Sequence, residues 1–143
     1  MRRRLAPSSI ARPSTRLPIN RKRFGSSRSL PVPLAARGVA RFSFADLCAQ
    51  PLAANDYLAV ARHYHTLVLE GVPKLSAELR NEARRFMLLV DSLYEHKVTL
   101  VIAADAAPEQ IYPDGDGSFE FQRTVSRLQE MRSPEYLALA HVT

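Results

Sequence analysis

From Phe42 onward, hydrophobic residues recur in two rhythms, and the changes of rhythm mark the elements. Residues 66–69 are β-branched and apolar, which predicts a short buried strand that Gly71 and Pro73 end. Residues 76–96 carry apolar side chains at Leu79, Ala83, Phe86, Met87, Val90, Leu93 and Tyr94. Steps of three and four place these on one stripe, so the segment is expected to be a long amphipathic helix. Ser76 is positioned to cap it, and Glu78 lies in the first turn, where the helix dipole favours negative charge. Residues 98–103, VTLVIA, form an unbroken apolar run of strand length, expected to be covered on both faces. The order strand, helix, strand predicts a βαβ unit with parallel strands and a right-handed crossover.

Flanking segments add helices to this unit. Phe42, Phe44, Leu47 and Cys48 form an apolar cluster, with Ser43 placed to cap a helical turn over 44–49. Residues 53–63 read as a helix through Tyr57, Leu58, Val60 and Ala61. Downstream, Pro108 opens a short turn through Ile111 and Tyr112, followed by an acidic, glycine-rich loop over 113–118. Residues 119–131 repeat the helical rhythm with Phe121, Val125, Leu128 and Met131 on one face. Ser133 followed by Pro134 starts a last helix running to about Ala140. The fold class is therefore α/β, a βαβ unit with flanking helices.

Composition fits one small globular domain: 143 residues, 46% hydrophobic and 24% charged. No apolar run approaches the ~20 residues that cross a bilayer as a helix. A single cysteine, Cys48, excludes an intramolecular disulfide framework. The net charge of +6 is unevenly placed. Residues 1–41 hold 11 of the 20 Lys and Arg and none of the 14 Asp and Glu, leaving 42–143 at a net −5. Residues 1–33 are rich in Arg, Ser and Pro and poor in large apolar side chains, so they are expected to form a disordered basic tail. Such a tail fits a mitochondrial presequence, a nonspecific nucleic-acid or acidic-membrane contact, or a functionless extension. Residues 34–143 form the domain.

Candidate chemistry is sparse. The sequence contains no Walker A loop, no G-x-G-x-x-G, no G-x-S-x-G and no H-E-x-x-H. His63 and His65 flank Tyr64 with no third ligand nearby, so surface or strand-edge histidines are the plainer reading. Asp91 ends the run Phe86–Val90 as the Mg²⁺-binding acid of P-loop ATPases does, but it falls in a helix. The plainer reading has it facing solvent or pairing with Arg84 or Lys97. Asp105, Asp114, Asp116 and Glu120 include a D-G-D-G stretch without the calcium-loop spacing, which reads as a solvated loop. Arg123 and Arg127 lie one helical turn apart on one face. Their planar forks suit a phosphate, a carboxylate or a neighbouring subunit. The plainer alternative is pairing within the helix, Arg123 with Glu120 or Arg127 with Glu130.

Three blocks carry a family likeness. They are RFSFADLC at 41–48 with Pro51-Leu52 and Asp56-Tyr57-Leu58, ARRF at 83–86 with VDSLY at 90–94, and FQRTVSRLQEM at 121–131 with Tyr136-Leu137. In this order they resemble the C-terminal part of the ZapE-like, AFG/LACE-like ATPases of the AAA+ class, over roughly residues 30–137. Ala53 stands where that family prefers glycine. The resemblance implies part of a P-loop NTPase fold, with ATP and Mg²⁺ as cofactors of the family and neither bound by this piece. It also implies ATP hydrolysis coupled to cell division and protein remodelling, with FtsZ or other division-ring proteins as partners. Arg123 and Arg127 become candidate nucleotide-sensing or inter-subunit arginines. The expectation is a truncated copy that does not itself hydrolyse ATP and exposes an apolar sheet edge prone to self-association or to binding a full-length paralogue. The alternatives are a non-catalytic interaction module and nonspecific nucleic-acid binding through the tail. The expected setting is cytoplasmic, or mitochondrial if the N-terminus is a presequence.

Overall fold

The computed structural model describes residues 20–24, 28–32 and 34–143. Strands β1 (Asn20–Phe24) and β2 (Arg28–Val32) pair antiparallel as a two-stranded ribbon. Both lie in the stretch expected to be disordered. A ribbon requires only backbone pairing, which an argument from core-forming composition does not detect. The remainder of the expected tail, residues 1–19, 25–27 and 33, lies outside the described residues.

A second sheet has the order β3 (Leu34–Ala36), β4 (Val39–Ser43), β5 (Thr66–Val72), β6 (Thr99–Ala104). The β3–β4 pair is antiparallel, joined by Arg37 and Gly38, both at positive φ as a tight hairpin turn requires. The other two pairings are parallel, as expected of the βαβ unit. Between β4 and β5 lie helices α1 (Phe44–Cys48) and α2 (Ala54–His63). Helix α3 (Arg80–Glu95) joins β5 to β6, and α4 (Ser118–Glu130) and α5 (Pro134–Leu137) follow.

Several helix ends are set by identifiable partners, some local and some distant. Ser43 caps α1 as expected: its hydroxyl accepts from the Asp46 N–H at 3.0 Å, and the Asp46 carboxylate accepts from the Ser43 N–H at 2.9 Å. The carbonyls at the other end of α1 take the Tyr57 hydroxyl on Leu47 at 2.7 Å and the Arg85 guanidinium on Cys48 at 3.0 Å. Ser133 caps α5 through the Tyr136 N–H, but that helix ends at Leu137, short of Ala140. Ser76 does not cap α3. A single 3₁₀ turn, Ala77–Leu79, intervenes, and the α-helix begins at Arg80. Helix α3 ends in a Schellman turn, with Lys97 left-handed and the Val98 N–H returning to the Leu93 carbonyl at 3.0 Å.

The core lies against one face of the sheet. Register places Ala40, Leu67 and Leu100 side by side, and likewise Phe42, Leu69 and Ile102. Against them pack Phe86, Leu89, Val90 and Leu93 of α3, with Phe121 and Leu128 of α4. Phe121 stacks on Phe86 at 6.0 Å between centroids, and Phe86 meets Phe44 at 5.9 Å, so rings tie α1, α3 and α4 together. Strand β5 runs past Gly71 to Val72, beyond the expected end, through a register shift after Leu69.

Strand β6 departs from expectation more instructively. Its residues are half-exposed throughout, rather than covered on both faces. Among the described residues it has one strand neighbour, β5, so it forms the sheet edge. A cleft lined by Leu100, Ile102, Pro108, Ile111, Leu128 and Met131 opens beside it. Edge strands normally carry charge or proline as protection, and TLVIAA has neither. The chain is therefore expected to self-associate through this edge. Sedimentation velocity over a concentration series checks this: Val101→Lys should shift the population toward monomer with an unchanged far-UV spectrum. A wild-type chain that stays monomeric throughout the series would sink the idea.

Candidate functional site

The burial of α3 fixes what its flanks present. Its buried line is Ala83, Phe86, Leu89, Val90 and Leu93. Met87 and Tyr94, expected on the stripe, sit at its margin and are half-buried. Asp91 and Tyr94 each follow a core residue by one position, which turns both toward the same flank. Helix α4 buries Phe121, Thr124 and Leu128, and its own flank carries Arg123, Arg127 and Glu130. Packing of α3 on α4 brings the two flanks together.

The result is a charged and aromatic cluster. Arg127 Nη1 donates to Asp91 Oδ1 at 2.6 Å, and Arg123 Nη2 donates to Asp91 Oδ2 at 3.2 Å. Thus both arginines pair across helices with Asp91, not within α4 with Glu120 and Glu130. Asp91 takes these two partners in place of Arg84 or Lys97. The Arg127 guanidinium also lies 4.6 Å from the centre of the Tyr94 ring. Tyr94 donates its hydroxyl to Glu130 at 2.9 Å and stacks on Tyr136 at 5.9 Å and 12°. Tyr136, buried, donates to the Val98 carbonyl at 2.8 Å and the Leu93 carbonyl at 3.3 Å. The sequence places Tyr94 on the apolar stripe and both tyrosines in the blocks of family likeness, without a role at the site. The available signal was spacing, with Tyr94 three residues after Asp91 and Glu130 three after Arg127.

Other candidates resolve into structure. His65 seats the β3–β4 turn: its ring contacts the Thr66 hydroxyl at 2.8 Å and the Arg37 carbonyl at 3.2 Å. A Cβ on Gly38 would meet that ring at 2.6 Å. His63 ends α2 and packs edge-on to Tyr64. Among the described residues no group of three His, Cys, Asp or Glu is placed to hold a metal. Asp105 continues β6, its N–H bonding the Val72 carbonyl at 2.9 Å. The Asp114–Asp116 loop is shaped by Tyr112, whose hydroxyl donates to the Asp116 carbonyl at 2.7 Å and crowds Gly115. Glu120 lies exposed in the first turn of α4. Cys48 is buried, and burial pushes its thiol pKa up, with Arg85 opposing, so it stays an unreactive thiol.

Comparison with known proteins adds a family to this geometry. Residues 15–140 match the model of the AFG1-like ATPase family, starting upstream of the motif likeness at Leu30. The chain is 44% identical over 114 residues to the cell division protein ZapE of Escherichia coli K12, covering 77% of this chain and 30% of that protein. It is 34% identical over 130 residues to lactation elevated protein 1 homolog B of Danio rerio, covering 68% of this chain and 26% of the relative. The chain thus spans less than a third of the length of these relatives. No solved structure matches.

The tyrosine frame beneath the arginines makes a measurable prediction. Burial raises the Tyr136 pKa, with Tyr94 and Glu130 adding to the shift, and the hydrogen bond to Glu130 raises that of Tyr94. A raised phenol pKa contributes stability that is complete below the ordinary value of about 10 and is lost as pH rises beyond it. Melting temperature should therefore fall with increasing pH above about 10. Tyr136→Phe should cost about 1–2 kcal/mol at neutral pH, by taking the hydroxyl donor from the Val98 carbonyl while the Leu93 carbonyl keeps the Val98 N–H, and should flatten the alkaline fall. Thermal melts from neutral to alkaline pH, followed by circular dichroism, read both effects.

Proposed function

Because the chain belongs to the AFG1-like ATPase family, we propose that it is the arginine-bearing C-terminal part of an ATP-hydrolysing machine acting in cell division and protein remodelling. The observation that carries this reading is the cluster on Asp91, where two guanidiniums share one carboxylate and the Arg123 side chain remains 69% exposed. Arginine keeps its charge at every physiological pH and offers a fork that matches phosphate oxygens. Delivered to the γ-phosphate of ATP, such a group stabilises the charge of the transition state. The donor set fits the phosphate end of ATP. It does not fit Mg²⁺, since the single carboxylate is taken by two cations.

On this reading the phosphates and Mg²⁺ are held by a phosphate-loop segment that this chain meets in a longer protein or a neighbouring subunit. This chain alone does not turn over ATP. The E. coli relative is named as a cell division protein. That name supports a role in cell division, and the proposed setting is the bacterial cytoplasm, with a division-ring protein such as FtsZ as the protein acted on. A second reading, a non-catalytic interaction module, is favoured by the uncharged β6 edge.

A chimera separates the two. Residues 15–140 would replace the matched third of E. coli ZapE. The chimera is expected to hydrolyse ATP while this chain alone stays at background. Arg123→Ala in the chimera should lower kcat roughly a thousandfold with little change in KM. Hydrolysis by this chain alone, or an unaffected kcat in the variant, overturns the proposal. A folded but inactive chimera supports the interaction module.

A further inference from the structure

The two arginines on Asp91 are not equivalent. Arg127 is held by a 2.6 Å contact to Asp91 and by the Tyr94 ring at 4.6 Å, and its side chain is only 21% exposed. The ring against it is itself immobilised by Glu130 and by the stack on Tyr136. Arg123 touches the same carboxylate through one nitrogen at 3.2 Å, with a side chain 69% exposed. An exposed single contact of this kind is weak and readily exchanged. Withdrawing Arg127 instead would leave a partly buried carboxylate short of its closer partner and uncover an aromatic face. The three groups sum to one surplus positive charge, and the exposed end of the cluster is Arg123.

We infer that Arg123 is the group that leaves Asp91 to engage a polyphosphate, while Asp91 and Arg127 form the fixed mount that holds it at the surface. Asp91 is then a positioning residue. It competes for Arg123 until a stronger anion arrives, and it keeps Arg127 from answering that anion. A phosphate with two acceptor oxygens outcompetes the single long contact, because it offers Arg123 a bidentate, charge-assisted pair. The assignment rests on the phosphate-contacting reading above.

Tripolyphosphate titrated into the whole chain, followed by the side-chain N–H resonances of ¹⁵N-labelled arginine, tests it. The Arg123 signal should shift while that of Arg127 stays in place. Arg123→Lys should weaken binding severalfold and Arg123→Ala should abolish it, both with an unchanged melting temperature. Arg127→Ala should lower the melting temperature by several degrees. Asp91→Asn keeps the shape of the side chain and removes its charge. It should tighten tripolyphosphate binding severalfold and let both arginine signals shift, which a merely structural role for Asp91 would not do. If Arg127 shifts in the wild-type chain while Arg123 does not, the phosphate reading survives and the assignment falls. Equal melting losses for Arg123→Ala and Arg127→Ala, or an Asp91→Asn chain that binds as wild type does, also overturn it. If neither signal moves, the phosphate-contacting reading fails and takes the assignment with it.

Discussion

The rotational setting of α3 governs the rest of the structure. Phe86, Leu89, Val90 and Leu93 are fully buried against Leu67, Leu69 and Phe42 of the sheet. Each of these side chains contributes roughly 1.5–3 kcal/mol by leaving water. Rotating the helix by one residue, about 100°, would bring Met87 and Asp91 into that core and expose Phe86 and Val90. The penalty for a buried unpaired carboxylate alone forbids it. With the phase fixed, Asp91 and Tyr94 have one direction left, toward α4. The Phe86–Phe121 stack then sets where α4 lies along that flank.

Short elements in this fold depend on distant side chains. Helix α1 has five residues and cannot satisfy its own terminal carbonyls. Tyr57 and Arg85, ten and 37 residues away, bond them instead. The end of the chain works similarly. The His141 ring bonds the Ala61 carbonyl at 2.7 Å in the last turn of α2, and the Val142 N–H bonds the His96 carbonyl at 2.9 Å at the end of α3. His65 plays the same part for the β3–β4 turn, where Gly38 leaves room for its ring. Polar side chains that look available for chemistry in the sequence are thus occupied with backbone groups.

That occupation explains what was legible beforehand. The helical stripe of α3, the β5–β6 pair and the Ser43 and Ser133 caps are local patterns, and periodicity and capping chemistry find them. Strand β4 reads poorly because VARFS alternates around an arginine, and its partner β5 lies more than twenty residues downstream. The half-exposed state of β6 was hidden for a related reason. An apolar run reports that a strand prefers burial, not whether a neighbour is present to supply it. In the candidate site, the arginine pair and the acid were visible as separate features. Spacing within α4 offers Glu120 and Glu130 as partners and says nothing about α3. Only the packing of two flanks makes Asp91 the acceptor for both arginines.

The energetics of that junction argue about its purpose. The Arg123–Asp91 pair, with Arg123 69% exposed, contributes about 0–1 kcal/mol, so the fold does not need it for stability. The aromatic stack and the core beneath already join α3 to α4 and α5. A cluster built for stability alone would match each guanidinium with its own carboxylate, and α4 carries Glu120 and Glu130 at the right spacing to do so. Instead Glu130 is engaged by Tyr94 and one aspartate serves two cations. The arrangement leaves charge unneutralised at the most exposed member, on a helix whose position the core has fixed. An unbalanced guanidinium on a rigid support is a poor stabiliser and a well-prepared anion ligand.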